Sequence, residues 1–338
     1  MNIMGNVLDA LAGKAYNVAN LTQSLLLQPV KPQAIGAEAL FAEKGITTYS
    51  AQVEYKNGVF TIMPYGMRGT LGSSLSEPGR IIRSFPIPHI PVVSTIQAHE
   101  VIGVRMFGKE TDMETMPAKI DEHLALHADA HEATWEFHRA AAICGLIKDA
   151  DGTTLNNVFT EFGLTEDVFT FNFSAGTEAA LQMKCMEVKT AIGNAVGGTG
   201  IVAVSALVDD VFFSAMMNSA GLRSAWEDDN NFRRENIEAG GDVITWGGIT
   251  WKRYRANIGT VNFFGSTNVA RFYPTGMPGL YNHYMAPANF AETVNTVGIK
   301  YYASQKRLDH DMGVQIHTQS NPLFMCVRPA LLKKGVSA

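Results

Sequence analysis

Apolar and polar positions alternate along this chain with two periods, and the places where the period changes mark its elements. Over residues 2–28, Val7, Leu8, Leu11 and Ala15, then Leu21 and Leu25, recur at helical spacing, and Pro29 and Pro32 end the run. Residues 47–55 alternate as a strand does, Lys56-Asn57-Gly58 supplies turn chemistry, and residues 59–63 return as a β-branched and aromatic strand, so a hairpin is expected. Gly66, Gly69, Gly72, Ser73, Ser74, Ser76 and Gly79 form a flexible tip, and the chain runs back through residues 81–90 as a second extended leg.

Residues 79–108, GRIIRSFPIPHIPVVSTIQAHEVIGVRMFG, are stiffened by Pro86, Pro88 and Pro91, and their apolar side chains are too scattered to form a compact core of their own. Such a segment needs cover from elsewhere in space, which points to a subunit of an assembly.

A long helix is predicted over residues 117–146, because Pro117 suits a first turn and no further proline or glycine intervenes before Gly145. Ile120, Leu124, Ala128 and Trp135 share one stripe; Leu126, Ala130, Ala133, Phe137 and Ala141 share another, so the helix should be covered on more than one side. A turn at 149–152 leads to a strand-like stretch at 157–162. Ser174 or Thr177 is placed to cap a helix running to about Asn194, and Gly197-Gly198-Thr199-Gly200 ends it before a buried strand at 201–207. A helix at 209–218 and an exposed charged stretch at 223–238 follow. Strands at 242–246 and 249–255 are joined by Gly247-Gly248, the strongest hairpin signal in the chain. Two closing strands, 313–318 and 323–328, are split by Ser320-Asn321-Pro322.

At 338 residues, with 46% apolar and 17% charged positions, the chain is long enough for one large domain or two modest ones around a buried core. A net charge of −5 gives no overall basic field, which argues against sequence-specific nucleic-acid binding. Cys144, Cys185 and Cys326 lie far apart with no C-x-x-C spacing, so reduced, buried thiols are expected, in a protein made in a cytoplasm. The N-terminus lacks the basic start and apolar run of a signal peptide, and no stretch approaches the roughly 18 apolar residues of a membrane span, so a soluble protein is expected.

Candidate chemistry is sparse. His123, His127 and His131 recur every four residues on the long helix, with His138 beyond, and adjacent members could chelate a divalent metal. The series H-L-A-L-H-A-D-A-H lacks the glutamate of an H-E-x-x-H zinc site, so a polar helix face is the better reading. The glycines of AVGGTGIVAVSAL stand after a helix and before a strand, the reverse of the order that aims helix-start amides at a phosphate. Asp209-Asp210 reads as a helix cap, Glu227-Asp228-Asp229 as solvated surface, and the glycines and prolines of residues 273–279 as a turn between strands. No G-x-S-x-G nucleophile turn occurs. No catalytic, cofactor-binding or metal residue is assigned, and no enzyme activity is expected.

Taken in order, several segments resemble the lambda-type major capsid proteins of tailed bacteriophages, the phage major capsid protein E family. They are Leu21-Thr22 with Pro29, RSFPIPHIP at 83–91, GVRMFG at 103–108, ALVDDVFFSAMMN at 206–218, FYPTGMPGLYNHYMAP at 272–287 and Gln319-Ser320-Asn321-Pro322-Leu323. The resemblance implies an α+β, HK97-like tailed-phage capsid fold. An N-terminal arm would span 1–45, an extended β-hairpin loop 46–107 and a peripheral domain 108–173 with a spine helix at 117–146. An axial domain would span 174–309, and strands at 310–338 would return to the peripheral domain.

The function implied is self-assembly, as hexamers and pentamers, into an icosahedral shell around the double-stranded DNA of a tailed phage. Implied partners are further copies of the chain, a scaffold, a portal and a decoration protein, with packaged DNA touched non-specifically and no membrane or cofactor involved. The chain starts almost directly at the arm, so the scaffold is expected to be a separate protein. Assembly would take place in the host cytoplasm and the product would reside in the virion. Arms and hairpins let each subunit cover neighbours, so modest contacts sum over a closed shell. Arg68, Arg80, Arg83, Phe85, Arg105 and Phe107, in or beside the extended loop, are the expected inter-subunit contacts, the arginines because each offers a fixed fork to a carboxylate. The competing readings are an encapsulin-like nanocompartment shell and a metal-dependent hydrolase built on the helix histidines.

Overall fold

A computed structural model describes residues 18–28, 34–56, 80–102, 115–197, 202–228, 242–255, 257–258, 261–264 and 266–338. Its organising element is the helix Met116–Ile143. Thr115 caps it by accepting the Ala118 N–H, Pro117 occupies the first turn, and Gly145 turns the chain out at φ +70°, where a side chain would strike Phe159. Ile120, Leu124, Ala128 and Trp135 are buried, as their stripe predicts. The second stripe divides. Leu126 remains 57% exposed and Ala130 is exposed, whereas Phe137 and Ala141 are buried, because only the second half of the helix lies between two cores.

A three-stranded antiparallel sheet covers one side of the helix, in the order Tyr302–Arg307, Gly313–Ser320, Ile90–Gln97. Ile96, Val314 and Ile316 meet Ile120, Leu124 and Ala128 there, and Leu21 and Leu25 of helix Val18–Leu27 join the same core. The part of the predicted N-terminal helix before Val18 lies outside the described residues. In a second small sheet Ala42–Gly45 runs parallel to Tyr281–Met285, which pairs antiparallel with Pro322–Cys326.

The larger core is built on a six-stranded sheet, in the order Val168–Phe171, Lys333–Ser337, Val269–Thr275, Ala203–Val208, Ile249–Arg253, Val243–Trp246. Phe171, Phe212, Trp251 and Phe272 interlock at its centre, each ring within about 6 Å of another. Helix Glu178–Val196 is capped by Thr177 and closed by Gly197 in the left-handed region, and helix Asp210–Asn218 is capped by Asp209. The Gly247-Gly248 hairpin forms as expected. Both residues have positive φ, and a side chain at Gly247 would run into Cys185.

Several expectations change. Ser50–Lys56 pairs along its whole length with Arg80–Pro86, while the turn expected at 56–58 and the return strand at 59–63 run into residues outside the described ones. This long-range pairing brings Phe85 opposite Ala51, both buried. Residues 57–79 lie outside the described residues. The stretch 157–162 is a strand Thr154–Asn157 followed by a short helix Val158–Glu161, because the Asn157 side chain accepts the Phe159 and Thr160 N–H groups and caps it. The charged stretch begins as helix Ala220–Asp228, with Ser219 Oγ accepting the Leu222 N–H; residues 229–241 lie outside the described residues.

The boundaries also shift. Ile90–Gln97, expected within the extended loop, is a strand of the helix-covering sheet, and Tyr302–Arg307 has joined that sheet before residue 310. Lys333–Ser337, expected to return to the 108–173 region, pairs there with Val168–Phe171 and on its other edge with Val269–Thr275, within the six-stranded sheet. All three cysteines are free and buried, and among the described residues no helix is long and apolar enough to cross a membrane.

Candidate functional site

The two-stranded ribbon Ser50–Lys56/Arg80–Pro86 stands on the body of the protein through one row of its alternating side chains. Ala51, Val53 and Phe85 are buried against Ile147, Val158, Phe162, Leu323 and Met325. Phe85 is 1% exposed, with its ring 6.0 Å from that of Phe162. It was expected at an inter-subunit contact; its own chain covers it instead, because the alternation of the strand turns it inward. Arg83 lies in the same row but reaches the surface, where its Nε donates to the Glu161 carbonyl at 2.8 Å. The opposite row, Gln52 with Ser84 and Glu54 with Ile82, faces outward, and Ile82 is 52% exposed. Arg80 is placed by its pairing with Lys56 at the far end of the ribbon. Arg68, Arg105 and Phe107 lie outside the described residues.

The cover that the 79–108 segment requires is thus supplied in part from within the chain. Phe85 and Ile96 are buried, whereas Ile82, Val93 and Ile102 remain more than half exposed.

The helix histidines are not a solvated face. His127 and His131 are buried where the helix meets strand Gly313–Ser320, and both rings engage one hydroxyl: His127 Nδ1 lies 2.9 Å and His131 Nε2 3.1 Å from Thr318 Oγ1. Burial lowers both from the ordinary 6.5 to about 4, with further lowering at His127 from His123 and His317 and at His131 from His127. His138 is also lowered to about 4 by burial, against the opposing pull of Asp149. His283, on strand Tyr281–Met285, is lowered to about 3, first by burial and then by Arg139, Lys300 and His138; its ring stacks on Phe324 at 4.0 Å. The polar-face expectation fails because Thr318 offers the buried rings a hydrogen-bond partner, so they need not face water. Among the described residues, no group of three His, Cys, Asp or Glu side chains is arranged to hold a metal ion.

One functional carboxylate escaped the sequence pattern. Glu136 is buried on the helix, where Oε1 accepts the Ile35 N–H at 2.7 Å and the Tyr254 hydroxyl at 3.3 Å, while Oε2 accepts the Gly36 N–H at 3.1 Å and pairs with Arg139 at 3.4 Å. It ties three regions together: the chain before the first small sheet, the helix, and the turn beyond strand Ile249–Arg253. Its only sequence signal is a carboxylate among apolar positions with an arginine three residues on. The acidic pair at 209–210 is structural, as expected: Asp209 accepts the Phe212 and Val269 N–H groups, and Asp210 pairs with Arg253 at 2.6 Å.

Residues 17–337 match the family model described as phage major capsid protein E. The major capsid protein of Salmonella phage Felix O1 is 23% identical over 352 residues, which cover 94% of this chain and 95% of that protein. The major capsid protein of Pseudomonas phage KPP10 is 23% identical over 345 residues, covering 96% and 97%. Among solved structures, the capsid of cyanophage P-SCSP1u aligns with a TM-score of 0.51 at 10% identity over 92% of this chain and 89% of the other. A prophage protein of E. coli CFT073 aligns with a TM-score of 0.56 at 12% identity over 99% and 98%. At these identities the structural likeness is one of fold.

Proposed function

The chain belongs to the phage major capsid protein E family, has the α+β, HK97-like fold and is a tailed-phage major capsid protein; from that premise we propose how it builds the head. Copies close into an icosahedral shell of hexamers and pentamers around double-stranded DNA, in the host cytoplasm, with a scaffold, a portal and a decoration protein as partners. The role is mechanical, without catalysis. Packaged DNA is held by confinement and not by a recognition surface, in keeping with a net charge of −5.

In this reading the chain up to residue 45 is the arm, the ribbon is the root of the extended loop, the long helix is the spine, and the six-stranded sheet is the centre of the axial domain. Arg83 and Arg80, and Arg68, Arg105 and Phe107 beyond the described residues, face neighbouring copies; Phe85 anchors the loop to its own body.

The observation that carries the proposal is the ribbon itself. One row of its side chains is fixed to the body through Phe85, while the other row faces outward, with Ile82 more than half exposed. Neighbouring copies cover that row in a shell. Replacing residues 65–80 by a short linker tests this. The variant should remain folded and soluble, and negative-stain images should show no closed shells; intact shells from it would contradict the proposed role of the loop.

A further inference from the structure

We propose that the seam between helix Met116–Ile143 and its covering sheet is a proton-sensitive joint, closed while its histidines are neutral and parting on their protonation before the six-stranded core opens. The geometry is that of two rings, one turn apart, sharing a single hydroxyl. Thr318 Oγ1 has one hydrogen and two lone pairs, so with both rings neutral at least one ring donates its N–H to the oxygen and at most one accepts the Thr318 proton. A proton added to a donating ring goes to its second nitrogen, whereas one added to an accepting ring breaks the shared contact. The ring that was accepting loses its lone pair, and the Thr318 hydrogen must leave the pair.

The second nitrogen compounds the cost. His131 is 0% exposed and its Nδ1 is buried with no hydrogen-bond partner among the described residues, so an N–H formed there has no acceptor. An imidazolium at that position would be a buried charge facing a second histidine.

The surroundings do not compensate. From the helix come His123, Asp129 and Glu132; the Glu132 carboxylate already accepts the Tyr301 hydroxyl and pairs with Arg139. From strand Gly313–Ser320 comes His317, and ahead of strand Ile90–Gln97 comes His89, whose Nδ1 bonds to Asn321 Oδ1. Tyr301, leading into strand Tyr302–Arg307, sets its ring 5.6 Å from that of His131. Helix Ala98–Val101 carries His99 and Glu100, the latter accepting the Gln97 N–H, and helix Val18–Leu27 carries no charged residue. Every influence resolved on His127 and His131 favours the neutral form.

The sign follows. Folded values of about 4 lie below the ordinary 6.5, so the unfolded state binds more protons between those limits. The stabilisation from these neutral rings is fully present above about pH 6.5 and is lost as the pH falls toward 4. No strand of the six-stranded sheet contains a histidine. His138 and His283, also lowered by burial, lie on the same helix and on strand Tyr281–Met285, so acid acts on the helix and the small sheets around it before the six-stranded core.

Hydrogen exchange on the full-length protein between pH 7 and pH 4.5, corrected for intrinsic exchange, tests the proposal. Peptides covering Ile90–Gln97, the first half of Met116–Ile143 and Gly313–Ser320 should lose protection about ten-fold or more, while Ala203–Val208 and Val269–Thr275 hold theirs. The H127Q/H131Q variant, whose amides can still bond to Thr318, should keep its seam closed at pH 4.5. If that variant does not fold, the H131Q variant alone should show a weaker pH dependence of its urea midpoint than the wild type. Simultaneous opening of seam and core in the wild type, or an unchanged pH profile in the variant that folds, would overturn it.

Discussion

Thr318 serves two buried imidazoles with one hydroxyl, and its position in strand Gly313–Ser320 lies 191 residues along the chain from His127. That distance explains why the four-residue spacing of the histidines was legible in the sequence while their burial was not. Periodicity shows that side chains share a stripe on a helix; it does not show what covers the stripe. A Thr318→Val variant keeps the shape of the side chain but strips both rings of their partner. It should lower stability at pH 7 by about 2–4 kcal/mol, read from urea unfolding, with little change in overall fold. Glu136 was hidden for the same reason: its four partners come from Ile35, Gly36, Arg139 and Tyr254, and only Arg139 is a sequence neighbour. The caps, by contrast, are local, and Thr177 and Asp209 stand where the sequence places them.

Elements whose determinants are local were therefore readable. The long helix follows from its capping threonine, its proline and an uninterrupted run of helix formers, and the Gly247-Gly248 hairpin from two residues that tolerate positive φ. The ribbon was half readable. Its extended legs were evident, but the register that pairs Ser50–Lys56 with Arg80–Pro86 was not. Strand pairing is decided by which register buries the apolar row, and that depends on Ile147, Phe162, Leu323 and Met325 on the body below. Phe85 is the main plug. Phe85→Ala should cost about 3–5 kcal/mol of local stability. Exchange should rise in Ser50–Lys56 and Arg80–Pro86 while the six-stranded sheet stays protected; equal loosening of both would mean that the ribbon is not a separate anchor.

At the scale of the molecule, a body with three apolar clusters holds an outward ribbon, and exposed apolar side chains such as Ile82, Val93 and Ile102 lie along its second strand and the segment that follows. A single copy buries the inner row of its ribbon and turns the outer row outward, an arrangement that makes sense for a subunit whose neighbours complete the burial. The sequence indicated this need for outside cover but overstated its extent, since Ile90–Gln97 finds its partner strand at home. The most direct test is electron microscopy of the purified full-length chain, paired with sedimentation, at high protein concentration and neutral pH. The account predicts shells, or hexameric and pentameric capsomers that join into curved sheets or tubes; a stable monomer that never associates would contradict it.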